Sequence, residues 1–260
     1  GWQERNTDNA VSSTQRVNQI VMSNATIAYD EDGLPYSPRK QGAGLANLSN
    51  AMKTNAYLYA GDASTDYRAK LELGDDKERK GVYDMTFKAA NFGSSPLTFG
   101  LSSLFMTESL SPNGITVAEQ AYMLDGSPVF RVNGQSASSV TIEPGKEVTI
   151  SLTLTLSGEE KKYLDDNFKN GMFVEGFIRL VSKTEGQNDL SIPFLAFYGD
   201  WDDAPMLDYT AFELAEFEQD ASIPDEEKPK ARVWATQAYS SYYHDRYVLP
   251  MGTYIYSLPD

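Results

Sequence analysis

Cysteine is absent from this 260-residue chain, and histidine occurs once, at His244. The first absence excludes disulfides and thiolate metal sites. The second leaves any zinc site to carboxylates, and any Ser–His or Cys–His pair to a single base. No GxSxG nucleophile motif accompanies that base, so His244, next to Asp245, reads as a surface or capping residue. No apolar run is long enough to cross a bilayer as a helix. Basic residues are scarce: 22 Lys and Arg face 37 Asp and Glu, for a net charge of -15. Phosphate backbones and anionic lipid surfaces need clustered cations, so neither nucleic acid nor membrane insertion is expected.

The acidity is local. Eleven acids and no Lys or Arg lie between Asp200 and Glu227, which leaves the rest of the chain close to neutral. The first residues do not read as a signal peptide. Gly1, followed at once by ordinary sequence, reads as the trace of a removed tag. The expectation is an excised piece of a longer protein.

From Ala56 onward the chain has period two. AYLYA, YRAKLELG and GVYDMTFKAANFG alternate apolar and polar residues, with Val82, Met85 and Phe87 marking an inner face. LTFGLSSLFMTE follows as a further strand, and shorter ones are expected at residues 121–124 and 129–132. Val140 and Ile142 form another strand before a Pro-Gly-Lys turn. Val148, Ile150, Leu152, Leu154 and Leu156 then alternate with Thr and Ser, the mark of a half-buried antiparallel strand. Ser157 and Glu160 form a capping box for a short helix. GMFVEGFIRLVS and DLSIPFLAFYG close the series, the second stopping at Gly199 and turning acidic around Trp201. Short strands between regular turn signals predict a mainly β, antiparallel sandwich of seven or eight strands over residues 56–200.

The flanks differ. Residues 13–24 predict a helix with an apolar stripe of Val17, Ile20 and Val21, capped by Ser13 or Thr14. Gly33, Pro35 and Pro38 then argue against helix or central strand, and Asn47 or Ser49 starts a second short helix. Residues 1–55 hold too little apolar area to fold alone and must pack on something. If that partner is missing, an exposed apolar face should favour self-association. Residues 201–260 read as an acidic linker and a Tyr-rich tail, with a short helix around Phe212, Ala215 and Phe217.

Candidate ligand sites are few. Asp200, Asp202 and Asp203 could hold calcium, although their spacing does not fit an EF-hand loop. Otherwise no cofactor is expected. Tyr242 and Tyr243 could stack sugars, but such tails more often pair into an adjoining domain. Arg39 and Lys40 are expected to contact a neighbouring carboxylate or carbonyl.

Two stretches together resemble a known family. Residues 18–58, and within them Val21–Met22–Ser23–Asn24–Ala25 and SPRKQGAGL at 37–45, resemble the C-terminal end of the catalytic domain of subtilisin-like cell-envelope serine proteinases of the lactocepin and streptococcal complement-inactivating peptidase type. IPFLAFYGDWDDAPMLD at 192–208 resembles the end of the fibronectin type III-like module that follows that domain. EPGKEVTISLTLTL and GMFVEGFIRLVS resemble its inner strands. The resemblance implies that 1–55 is the last segment of an α/β subtilisin domain and 56–200 the sandwich. It also implies a secreted or wall-attached bacterial parent. Its catalytic Asp, His and Ser and its oxyanion-hole Asn lie before this chain begins, so no catalytic residue carries over. The module would pack on the missing catalytic domain and help position protein substrates, with Arg39, Gln41, Gly42, Gly44 and Trp201 as candidate interdomain contacts. The alternative from residues alone is a stand-alone adhesion or carbohydrate-binding sandwich, or a calcium-stabilised spacer.

Overall fold

Period-two alternation dictates the scaffold. A computed structural model describes residues 13–61, 68–111 and 117–202, positions 219, 221 and 222, and two short strands beyond. The chain divides into two compact units, Gly1–Trp201 and Asp202–Asp260. In the first, β1 (Ala56–Ala60), β2 (Leu71–Asp76), β3 (Val82–Asn91), β4 (Leu97–Leu110), β5 (Val117–Leu124), β6 (Val129–Val132), β7 (Gln135–Ser136), β8 (Ser139–Ile142), β9 (Glu147–Thr155), β10 (Met172–Ser182) and β11 (Leu190–Tyr198) follow in order. They form a five-stranded sheet, β1-β3-β9-β6-β7, and a six-stranded sheet, β2-β11-β10-β4-β5, in which β8 also pairs β4. Among the described residues the sandwich thus has eleven strands, not seven or eight. Every pairing in it is antiparallel except β2 with β11. In the second unit, β12 (Gln237–Tyr239) pairs antiparallel with β13 (Arg246–Val248). The helix expected around Phe212, together with Tyr242, Tyr243 and His244, lies outside the described residues.

Between the two sheets lies the core. Ile150, Leu152 and Leu154 of β9 and Tyr83, Met85, Phe87 and Ala89 of β3 bury against Phe99, Phe105, Ile178, Ile192 and Phe194 of the other sheet. Val82 is exposed rather than internal, because period two carried back from Met85 lands on Tyr83. The capping box forms as the sequence predicts: on α4 (Gly158–Asn167) the Ser157 hydroxyl accepts from the Glu160 N–H, and the Glu160 carboxylate accepts from the Ser157 N–H. The carboxylate also accepts from the Gly126 N–H, tying the helix to the loop before β6.

Both faces of β10 and β11 are buried, which explains their near-continuous apolar runs. Val174, Ile178 and Leu180 face the core. Residues of the other parity, Glu175 and Phe177, are buried all the same. They lie on the face that the N-terminal segment approaches, where α2 (Pro38–Gln41) packs on β10 and β11. The one-turn helix α2 stands where Pro35 and Pro38 argue against helix. Pro38 occupies its first turn, where a missing N–H costs nothing.

β1 is buried at all five positions. Ala56, Leu58 and Ala60 face the sandwich core, while Tyr57 and Tyr59 pack with Ile20 and Ala51. These come from α1 (Ser13–Ser23) and from α3 (Leu48–Lys53), whose cap is Asn47. Of the predicted stripe, Ile20 is buried and Val21 packs half-buried against the same cluster. Val17 is exposed, and Arg16, Gln19, Ile20, Ser23 and Asn24 are buried. Arg16 lies 4.3 Å above the Tyr57 ring and donates to Gln19 Oε1. The Ser23 hydroxyl accepts from the Leu58 N–H at 2.8 Å and donates to the Leu58 carbonyl at 3.1 Å. It thereby takes the place of a neighbouring strand on the edge of β1. Replacing Ser23 with Ala leaves both Leu58 groups buried without that partner and is expected to cost about 2 kcal/mol. A urea-unfolding midpoint equal to wild type would disprove this role for the hydroxyl.

Candidate interdomain contact site

Arg39 sits on α2 directly after Pro38, so the first helical turn aims it at the sandwich. Its Nε and Nη2 donate to Glu175 Oε1 at 2.9 and 2.7 Å, and its backbone N–H donates to Glu175 Oε2 at 3.4 Å. Nη2 also pairs with Glu108 on β4. The guanidinium lies 4.2 Å from the centre of the Phe173 ring, so one cation meets two carboxylates and an aromatic face. Burial pushes the Glu175 carboxyl above its ordinary range, and the Arg39 hydrogen bonds and charge pull back against that push. Arg39 is thus a latch between residues 1–55 and the sheet. The carboxylate contact expected of it comes from strands far away in sequence. Glu175 and Glu108 were missed as site residues. The signal was a lone Glu inside MFVEGFIRLV and another inside LFMTESL, runs that otherwise read as buried.

The other candidates divide by what they touch. Gln41 Oε1 accepts from the Ala28 N–H at 2.7 Å, and its Nε2 donates to the Ala28 and Tyr36 carbonyls. Gly44, at φ +118°, would place a Cβ 2.5 Å from the Thr26 carbonyl oxygen, beside the Thr26–Leu45 bridge. Gly42 has φ +63° and open space around it. These three residues shape the 26–45 loop from within. Trp201 is 59% exposed and rests on Phe173 and Phe197 with centroids 5.5 and 5.2 Å away, while its backbone N–H donates to the Asp75 carboxylate. Phe173 therefore joins Arg39 and Trp201 into one row. Asp200 pairs with Lys77 at 2.8 Å, and Asp202 is exposed. Asp203 lies outside the described residues. No cluster of three or more His, Asp or Glu suited to a metal occurs among the described residues.

Past the latch the segment turns outward. Leu45, Leu48 and Met52 are 64, 67 and 81% exposed. Leu48 and Met52 are one turn apart, on a shared side of α3, while Ala51 packs inward. A helix that anchors by one small residue and shows Leu and Met to water has the character of an interaction face.

Residues 71–195 match the family model of the Fn3-like domain. C5a peptidase from Streptococcus pyogenes serotype M1 is 27% identical over 191 residues, which cover 73% of this chain and 15% of that protein. The PI-type proteinase of Lactococcus lactis subsp. cremoris is 26% identical over 206 residues, covering 76% of this chain and 9% of that proteinase. The chain therefore spans a small part of the relatives it matches. Its similarity to these two proteins runs over about three quarters of its own length.

Proposed function

We propose that this chain, with its Fn3-like domain at residues 71–195, is a non-catalytic accessory module of a secreted subtilisin-like serine endopeptidase. Residues 1–55 complete the catalytic domain's last segment, residues 56–200 form the module, and residues 201–260 lead onward. The module packs on the catalytic domain and helps position large protein substrates, outside a bacterial cell or on its wall. One observation carries this reading: a segment latched to the sandwich by Arg39 shows Leu45, Leu48 and Met52 to solvent. Burying a Leu and a Met on a partner stabilises by about 1.5–3 kcal/mol each.

Casein hydrolysis tests it directly. The chain alone is expected to be inactive, and a chain extended upstream by a catalytic domain active. Activity in neither would shift weight to an adhesion module, and activity in the short chain would overturn the proposal. The double variant Leu48→Asp/Met52→Asp tests the face. In the short chain it should leave the melting temperature nearly unchanged, since exposed sites shift stability by about 0.5 kcal/mol or less. It should also reduce self-association in light scattering. In the extended protein it should lower both melting temperature and casein turnover. An extended double variant that behaves like its parent would rule out docking through this face.

A further inference from the structure

Between the N-terminal segment and the ends of β10 and β11 lies a cleft of about 330 Å³, separate from the latch. Its sandwich wall carries Arg179 on β10 and Ser191 on β11, register partners whose side chains share a face. Asn188 and Asp189 from the preceding turn, Asn50 from α3 and Tyr29 also line it, with the 25–27 stretch and Leu190. The Asn188 side-chain amide donates to the Asn50 carbonyl at 3.1 Å, and Asp189 Oδ1 accepts from the Ser182 N–H at 2.8 Å. The first of these bonds joins the two sides of the cleft, and the second braces the β10–β11 turn, before anything enters.

Three features point to a ligand. Ser191 is 5% exposed, and its hydroxyl has no hydrogen-bond partner, a condition that buried hydroxyls rarely keep. Arg179 Nη2 and Asp189 Oδ2 form an ion pair at 3.9 Å, longer than a hydrogen bond, so the pair borders one space and keeps hydrogen-bonding positions open to a third group. Tyr29 is exposed beside them and offers an apolar ring.

We infer that this cleft binds a neutral saccharide of one or two rings. One cation and one carboxylate line it, so neither an anion nor a cation meets a matching excess of charge. A guanidinium and a carboxylate together supply donors and acceptors for vicinal hydroxyls, and the ring of Tyr29 covers a C–H face. The volume is at the lower end for small-molecule sites, as a mono- or disaccharide requires.

The test is an amide NMR titration of the whole chain with D-glucose, D-galactose, N-acetyl-D-glucosamine and their disaccharides, with inorganic phosphate as the anionic control. At least one saccharide should shift the amides of residues 26–29, 50 and 188–191 with a millimolar midpoint, and phosphate should not. Tyr29→Ala, Arg179→Ala and Asp189→Ala should each weaken binding about tenfold, the scale of one lost polar or ring contact. Ser191→Ala should weaken it without lowering the melting temperature, because its hydroxyl satisfies nothing in the unliganded protein. The inference is overturned if no saccharide shifts these amides, if phosphate alone does, or if affinity survives in folded Arg179→Ala and Asp189→Ala proteins. Saccharide binding here is independent of the proteinase proposal, since casein turnover and these shifts are read separately.

Discussion

Alanine at Gly176 is expected to be the most damaging small substitution in the sandwich. Gly176 has φ +155°, and a Cβ there would lie 1.9 Å from the Leu104 carbonyl oxygen and 3.0 Å from Cε1 of Phe194. Neither neighbour has room to yield. Leu104 belongs to β4, which pairs with β10 along this stretch and with β5 on its other side. Phe194 is buried in the core. Backbone strain and overpacking then act together, and the loss should be about 3 kcal/mol or more. Gly74→Ala and Gly134→Ala serve as controls. Both residues have positive φ but nothing within 4 Å of the added methyl, so they isolate the backbone cost of about 1 kcal/mol. Urea unfolding of the three variants decides the matter. Equal losses in all three would show that β10 and β4 part without cost and that the close approach does not set their pairing.

That close approach illustrates what the sequence could show and what it could not. The inner strand at Glu147–Thr155 and the capping box at Ser157 and Glu160 were legible, because alternation and capping are local patterns. The apolar runs at 172–182 and 190–198 were legible as buried strands. What covers their outer face was not, since the cover comes from residues more than a hundred positions earlier. The helix at Ser13–Ser23 shows the sharper failure. Hydropathy assigns Arg16, Gln19, Ser23 and Asn24 to solvent, but their spacing of three, four and one residues places them on one face against β1. A hydroxyl that completes a sheet edge and a guanidinium that stacks on Tyr57 can be buried at little cost, and hydropathy does not register that. Of the candidate contacts, Arg39 and Trp201 meet through Phe173, while Gln41 and Gly44 prove to be braces of their own loop. Glu175 was a readable anomaly. A carboxylate inside MFVEGFIRLV announces that a partner is needed, but the partner, Arg39, is 136 residues away.

Arg39→Met should therefore destabilise the unit strongly at neutral pH, and the loss should shrink on acidification. The substitution keeps most of the apolar stem over Phe173 and removes the charge. It leaves Glu175, almost fully buried, without its cation, and breaking a buried pair from one side costs about 3–5 kcal/mol. The sign of the pH dependence follows from Glu175. Burial already holds its carboxyl above the ordinary value of 4.5, against the pull of Arg39. An acid whose folded value is raised contributes stability below its unfolded value and loses that contribution as pH rises through the folded one. Without Arg39 the opposing pull is gone and the folded value moves further up. The variant's penalty then grows as pH rises above the unfolded value of 4.5 and shrinks on acidification back toward it, as Glu175 takes up its proton in the folded state. Adding Glu175→Gln to Arg39→Met should restore much of the loss at pH 7 and flatten the pH dependence, because an amide can be buried without a counter-charge. A penalty that is the same at both pH values, or a double variant no better than the single one, would mean that Glu175 is not the charge Arg39 serves. The latch also fixes α2 against β10 and β11, and the chain runs from α2 through residues 42–47 directly into α3, which carries Leu48 and Met52. Loosening the latch should disturb the apolar face without touching one of its residues.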